Sequence, residues 1–231
     1  MQTDSSRRQW LGMALAGGLA ASAGFARSRI KPAPPPAPGS PREALELLYA
    51  GNRRFVGGKS EAPHRDPERL LEVAAGQAPF AAFLGCADSR VPIEILFDQG
   101  FGDLFVTRIA GNVAATENIA SLEFAADALG VKVLYVLGHT SCGAVAAAAK
   151  AEPVPGQISA LFQHIRPAVR AAQGDVATAV RENVKIQAQT LVEGSTVISS
   201  LVSAGKVTVA GGIFDLRSGH VEPVELPFLK G

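Results

Sequence analysis

Three residues with metal-binding side chains stand at two places in the sequence: Cys86, and then His139 and Cys142, three residues apart. Two thiolates and one imidazole suit tetrahedral zinc, and three protein ligands leave a fourth position open, as in catalytic zinc sites. Cys86 and Cys142 are also the only two cysteines of the chain. They could therefore form a single disulfide or remain buried free thiols, and a lone His-x-x-Cys pattern does not decide between these alternatives.

The residues that follow Cys86 favour the metal site. Asp88 and Arg90 stand two and four positions beyond it, within the segment Cys-Ala-Asp-Ser-Arg. Such a pair can form a charge-assisted, bidentate ion pair that holds the carboxylate in one orientation. An ordinary salt bridge is the alternative interpretation, but a disulfide would require neither residue.

The elements around these residues predict how they meet. Short apolar runs at 80–84, 104–106, 131–137 and 207–209 alternate with stretches of helical periodicity, which is typical of a parallel sheet covered on both faces. Cys86 and His139 each follow such a run, and ligands of open α/β sheets bind beyond the carboxyl ends of the strands. They converge if their strands are neighbours. Cys142 should lie at a helix N-terminus, which lowers the pKa of a thiol.

The predicted fold class is α/β, with a central, mostly parallel sheet of four strands and helices on both faces. An edge strand is expected near Val221. A capping box at Ser40 begins an N-terminal helical arm that runs to about Phe55. Residues 157–193 have the pattern of two successive helices, and Pro167 should kink or end the first.

The chain divides into three predicted parts: a signal peptide at 1–26, a proline-rich linker at 27–40 and a folded domain at 41–231. Arg7 and Arg8 precede an uncharged Gly/Ala/Leu run that is short for a stable membrane span. This segment resembles a twin-arginine signal, which implies export of the folded protein to the periplasm or the exterior of a bacterial cell. An uncleaved amphipathic anchor is the alternative.

Composition limits the partners. The 231 residues carry 22 Lys and Arg against 21 Asp and Glu, a net charge of +1, and this balance gives no electrostatic basis for binding nucleic acid. Hydrophobic residues make up 47% and charged residues 19%, which is enough apolar material for a sizeable core. We therefore predict a globular protein whose partner is a small molecule.

Taken together, the motifs resemble those of the β-class carbonic anhydrases, whose signatures are Cys-x-Asp-x-Arg and, some fifty residues later, His-x-x-Cys-Gly. Both are present in order, at 86–90 and 139–143. The resemblance extends from about Ser40 to Pro223. It also includes Gln77 ahead of the first strand and the segment Arg108-x-x-Gly111-Asn112 after the second.

The resemblance implies one zinc ion per chain, held by the three metal-binding residues, and reversible hydration of carbon dioxide to bicarbonate and a proton. Zinc would lower the pKa of a bound water towards ~7 and so generate hydroxide. Asp88, held by Arg90, would accept the hydrogen bond of this hydroxide and orient it. When Arg90 releases it, Asp88 would become the fourth zinc ligand. Gln77 would donate a hydrogen bond to the substrate oxygen.

Two alternatives stay open. The same zinc site could act on carbonyl sulfide or carbon disulfide, or the chain could bind zinc or bicarbonate without turnover. The presence of Asp88, Arg90 and Gln77 argues against the second alternative, because a structural zinc site needs only its ligands. The resemblance further implies a homodimer or a multiple of dimers.

Overall fold

Helices and strands alternate along residues 38–229, the part of the chain that the computed structural model describes. The predicted signal peptide and all but the end of the predicted linker lie outside these residues. No helix within 38–229 is long and apolar enough to cross a membrane. The elements are α1 (Pro41–Val56), α2 (Pro67–Val73), β1 (Ala81–Gly85), α3 (Ile93–Leu96), β2 (Leu104–Arg108), α4 (Thr116–Asp127), β3 (Val133–His139), α5 (Gly143–Lys150), α6 (Ser159–Ala171), α7 (Val176–Glu193), α8 (Thr196–Ser203), β4 (Thr208–Phe214), β5 (Val221–Val224) and a 3₁₀ turn (Pro227–Leu229).

The five strands form one sheet in the order β2-β1-β3-β4-β5. The first four are parallel to one another, and β5 pairs antiparallel with β4. The predicted α/β class, the four parallel strands and the edge strand near Val221 are confirmed. β1 and β3 are direct neighbours, with Gly85 opposite Leu137 at their carboxyl ends. The condition for Cys86 and His139 to converge is therefore met.

Both faces of the sheet are covered, which explains why the strands are continuous apolar runs. Helices α4 to α8 pack on one face, whereas α1 and α3 pack on the other. Successive strand residues alternate between these faces. The first face receives Ala82, Leu84, Leu134, Val136 and Val209; the second receives Ala81, Phe83, Val133, Tyr135, Leu137 and Phe214.

Helix α1 begins as the capping box predicts. The Ser40 hydroxyl accepts the backbone N–H of Glu43 at 3.3 Å, and Pro41 occupies the first turn, where its missing N–H costs nothing. Leu48 is fully buried from this helix onto the second face of the sheet. Leu48 thus joins the start of the folded domain to its core.

Two features of the helices differ from the sequence predictions. The short helices α3 and α8 were not predicted, because four and eight residues carry too little periodicity to be distinguished from turns. Pro167 lies inside α6, which continues to Ala171, so of the two predicted effects of this proline the ending of the helix does not occur. Phe162, Ile165 and Ala168 are buried from α6 into the core. Their burial offsets the cost of about 3 kcal/mol that an internal proline imposes on a helix.

Candidate metal centre

The three metal-binding residues meet at the carboxyl edge of the sheet. Cys86 directly follows β1, His139 is the last residue of β3, and Cys142 is the N-cap residue of α5. One ligand atom from each lies within 4.8 Å of the other two, and all three residues are buried. Both cysteines are free thiols, so the structure does not adopt the disulfide alternative. Donor atoms this close to one another can share one metal ion, and two sulfurs with one imidazole nitrogen suit a tetrahedral one.

The orientation of His139 points to a metal ion in particular. Its Nδ1 lies 3.0 Å from the carbonyl oxygen of Thr140 and donates to it, which leaves the lone pair on Nε2. That Nε2 atom is buried and has no hydrogen-bond partner among the described residues. A buried polar atom without a partner is costly, and a metal ion at the cluster accounts for it. The residues present therefore fit a metal.

The two thiols share a single proton in the absence of metal. A hydrogen bond from Cys142 lowers the pKa of Cys86 to about 4, with a further contribution from the backbone N–H of Gly111, although burial opposes the change. The same hydrogen bond, together with burial, raises the pKa of Cys142. The sequence predicted a lowered pKa for Cys142. The N–H groups at the start of α5 do act in that direction, but the shared proton outweighs them.

Asp88 and Arg90 form the predicted ion pair beside the cluster. Arg90 donates from Nε to Oδ1 at 2.9 Å and from Nη2 to Oδ2 at 2.7 Å. The Arg90 guanidinium holds the pKa of Asp88 well below its usual range, so the carboxylate is ionised. Oδ2 of Asp88 also lies 3.8 Å from Nε2 of His139. The carboxylate thus adjoins the metal cluster while Arg90 engages both of its oxygens.

Arg108 anchors the loop that carries these groups. It is the last residue of β2 and lies opposite Gly85 in the neighbouring strand. Its Nε donates to the carbonyl oxygen of Cys86 at 3.0 Å, and its Nη2 donates to the carbonyl oxygen of Asp88. From the sequence, Arg108 was recognised only as part of the segment Arg108-x-x-Gly111-Asn112. Its position at the carboxyl end of an apolar run could have indicated that it lies at the same edge of the sheet as the metal cluster.

Gly111 brings the backbone against the sulfur of Cys86. Its N–H donates to Sγ at 3.3 Å. Its φ is +75°, a conformation that favours glycine, and an added Cβ would lie 2.7 Å from Cδ1 of Ile165 and would have to displace it. Beside it, the buried Asn112 has a side-chain nitrogen without a hydrogen-bond partner among the described residues.

Gln77 is not brought to the cluster of its own chain. It is exposed in the loop between α2 and β1, ahead of the amino end of β1, whereas the cluster lies beyond the carboxyl end. The five residues of β1 alone separate the two ends by about 16 Å. Within one chain, Gln77 therefore lies at the opposite edge of the sheet from Cys86.

Comparison with known proteins gives a consistent result. The sequence profile of a family described as carbonic anhydrase matches residues 81–221. The chain is 37% identical over 189 residues to carbonic anhydrase 2 of Mycobacterium tuberculosis, an alignment that covers 78% of this chain and 91% of that protein.

Solved structures agree with the sequence relatives. A β-carbonic anhydrase of Aspergillus fumigatus superimposes with a TM-score of 0.62 at 28% identity, covering 78% of this chain and 90% of that one. A tetrameric β-carbonic anhydrase of Sordaria macrospora shares the fold, with a TM-score of 0.64 at 23% identity over 78% and 96% of the two chains.

Proposed function

Since the chain belongs to the β-class carbonic anhydrase family, we propose that it is an enzyme that interconverts carbon dioxide and water with bicarbonate and a proton. One observation carries this proposal. Nε2 of His139 is buried and has no hydrogen-bond partner within residues 38–229, and the ligand atoms of His139 and the two cysteines lie within 4.8 Å of one another, beside a carboxylate held by an arginine. A purely structural metal site would need the three ligands but not the Asp88–Arg90 pair.

We propose zinc as the metal, one ion per chain, held by Cys86, His139 and Cys142. The two sulfur atoms and one imidazole nitrogen are a donor set that zinc favours, and the set leaves a fourth position open. When bound, zinc lowers the pKa of a coordinated water towards ~7 and so supplies a nucleophile at neutral pH.

Asp88 supplies a hydrogen-bond acceptor next to that position. Because Arg90 keeps the carboxylate ionised, Asp88 can accept a hydrogen bond from the attacking water and fix its orientation towards carbon dioxide. Arg108 holds the backbone of the same loop. When Arg90 releases the carboxylate, Asp88 is the acidic group placed to occupy the fourth ligand position, since its Oδ2 lies 3.8 Å from Nε2 of His139.

The direct test follows carbon dioxide hydration by stopped flow with a pH indicator near pH 8.5, using zinc-loaded and chelator-treated chains. Rapid hydration by the zinc-loaded chain alone is expected. Parallel assays with carbonyl sulfide address the first alternative: hydrolysis of that compound without carbon dioxide hydration would make the sulfur compound the substrate. A chain that binds one zinc and turns over neither would be a binding protein, which would contradict the proposal.

We further propose a homodimer, or a multiple of dimers, as the functional assembly. The edge strand β2 has a neighbour on one side only within the described chain. Large apolar side chains of α2 and of the loop before β2 are exposed, including Leu71 at 76%, Leu70 at 50% and Phe101 at 44%. Their burial against a second copy would be favourable. A second copy is also required if Gln77 is to reach a metal cluster.

Gln77 provides a test of this assembly. Its replacement by alanine should reduce hydration by about 10²-fold, because one donor to the developing oxyanion is lost. A Gln77→Ala chain co-expressed with a Cys142→Ser chain should recover a substantial part of the rate. In a mixed dimer, an intact cluster from one chain meets an intact Gln77 from the other. Absence of recovery, in a mixture shown to contain mixed dimers, would exclude action of Gln77 between chains.

Export is proposed from the sequence of the N-terminus, where Arg7 and Arg8 precede an uncharged apolar run. A twin-arginine signal would carry the folded domain to the periplasm or beyond. We expect cell fractionation of a bacterial host to find the mature chain outside the cytoplasm. Replacement of both arginines by lysine should retain the chain inside, and export unaffected by that change would contradict this signal type.

A further inference from the structure

Helix α7 carries two amide side chains on a face that is otherwise apolar. Asn183 and Gln187 lie one turn apart and are only 1% and 2% exposed. Val180, Val184 and Leu191 of the same helix belong to the core. Burial of an amide costs free energy unless its polar atoms form hydrogen bonds. The hydrogen-bond partners of these two residues therefore indicate which part of the structure they stabilise.

Both amides hold the loop that follows β2. Asn183 donates from Nδ2 to the carbonyl oxygen of Gly111 at 2.8 Å, and Oε1 of Gln187 accepts the backbone N–H of Ala114 at 2.8 Å. Nε2 of Gln187 donates to Oδ1 of Asn183 and to the carbonyl oxygen of His164, each at 3.0 Å. The two side chains thus form one connected network that fixes both ends of residues 111–114.

The fixed loop is the one that contacts a metal ligand. Gly111 presents its carbonyl oxygen to Asn183 and its N–H to the sulfur of Cys86, at 3.3 Å. We propose that Asn183 and Gln187 are positioning residues of the metal site, which hold Gly111 so that its N–H remains bonded to the Cys86 sulfur. This inference rests on the proposed function only in assuming that the cluster binds a metal.

The chemical effect follows from the charge of the ligands. Two thiolates neutralise the formal charge of a divalent metal ion, which weakens it as a Lewis acid. An N–H group that donates to one sulfur withdraws negative charge from it and restores part of the metal's electrophilic character. Outer hydrogen-bond partners of this kind typically alter metal affinity or activity by ~10-fold to 100-fold.

The test uses the full chain with Asn183→Leu, which has a similar volume but no polar atoms. Zinc affinity, measured by competition with a chelator, should fall by ~10-fold to 100-fold, because the loop at Gly111 no longer holds the Cys86 sulfur in place. The cobalt(II)-loaded chain should show its sulfur-to-metal charge-transfer band at longer wavelength, because the sulfur that has lost its hydrogen bond is more electron-rich. Unchanged zinc affinity together with an unchanged band would overturn the proposal.

Asn52 offers a matched control. It is 2% exposed, donates to the carbonyl oxygens of Leu96 and Gly219 at 3.0 Å each, and accepts the N–H of Val221. Asn52→Leu should therefore destabilise the fold comparably but leave the zinc affinity and the cobalt band unchanged. If zinc affinity and the cobalt band changed equally in both variants, the amides of α7 would have only a general structural role, and the proposal would be overturned.

A milder variant covers the case in which Asn183→Leu fails to fold. Gln187→Met removes the bonds to Ala114, Asn183 and His164 but keeps the donor of Asn183 that bonds Gly111, so it should shift the cobalt band in the same direction by a smaller amount. No shift in this variant would also overturn the proposal. Because these readouts do not need turnover, a wild-type chain that binds metal without hydrating carbon dioxide would contradict the proposed function and leave this inference standing.

Discussion

Asp88→Asn should reduce the kcat/KM of carbon dioxide hydration by at least ~100-fold while one zinc ion per chain remains bound. The amide keeps the shape of the carboxylate but loses its charge, and it turns one acceptor oxygen into a donor. Arg90 then loses its bidentate partner, with donor distances of 2.7 and 2.9 Å in the present structure. Stopped-flow hydration and metal analysis of the same sample measure both parts of this result.

Asp175→Asn is the matched control for that substitution. Asp175 is exposed, and its side chain accepts the N–H of Thr178 at 2.7 Å as the N-cap of α7. Asparagine caps a helix equally well, so neither stability nor hydration should change appreciably. Hydration that survived Asp88→Asn would remove Asp88 from the mechanism. Zinc lost together with activity would instead assign Asp88 a part in retaining the metal.

Cys142→Ser should abolish both zinc retention and hydration. Serine is nearly isosteric, but its hydroxyl does not ionise near neutral pH, so only Cys86 and His139 would remain as ligands. The loss of zinc affinity should exceed the ~100-fold that removal of an outer hydrogen-bond partner costs. Metal analysis after dialysis is the measurement. A Cys142→Ser chain that kept stoichiometric zinc would contradict the assigned ligand set.

The neighbouring residue provides the control for this second substitution. Ser141 is exposed and has a φ of +56°, a left-handed conformation that asparagine tolerates. Ser141→Asn therefore changes the loop before α5 without removing a ligand. We expect it to retain both zinc and hydration.

Zinc binding should also depend on pH in a defined direction. The pKa of Cys142 is raised in the metal-free chain, whereas that of Cys86 is about 4, so around neutral pH Cys142 keeps the proton that the metal must displace. Protons therefore compete with zinc, and the apparent affinity should increase from pH 6 to pH 8. Calorimetry in buffers of different ionisation enthalpy should detect the release of at least one proton per metal ion.

The metal ligands were predictable because simple rules act on them. Parallel strands end at the same edge of a sheet, so Cys86 and His139 could be placed there from the apolar runs that precede them. The apolar runs do not determine the order of the strands in the sheet. In the structure β1 and β3 are neighbours, although β2 lies between them in sequence. The motif resemblance supplied that adjacency indirectly.

The supporting residues were harder to predict, for a physical reason. Asn183 and Gln187 are polar positions on an amphipathic helix, and such positions are usually solvated. Only the contacts of α7 in the folded chain show that they face inwards. Their spacing of four residues among valines was the one available signal. Gln77 illustrates the opposite case, because the motif associates it with the site whereas the chain carries it to the other edge of the sheet.

Because β1 and β3 are neighbours, retention of the metal ion indicates that this central part of the chain is folded. Fifty-three positions separate Cys86 from His139 (139 − 86), so the unfolded chain holds these ligands together only at the entropic cost of closing a long loop. The pairing of β1 with β3 removes that cost. A metal ion that binds the native chain alone stabilises it by mass action. Chains that retain the ion under dilution are therefore those in which the central strand pair has already formed.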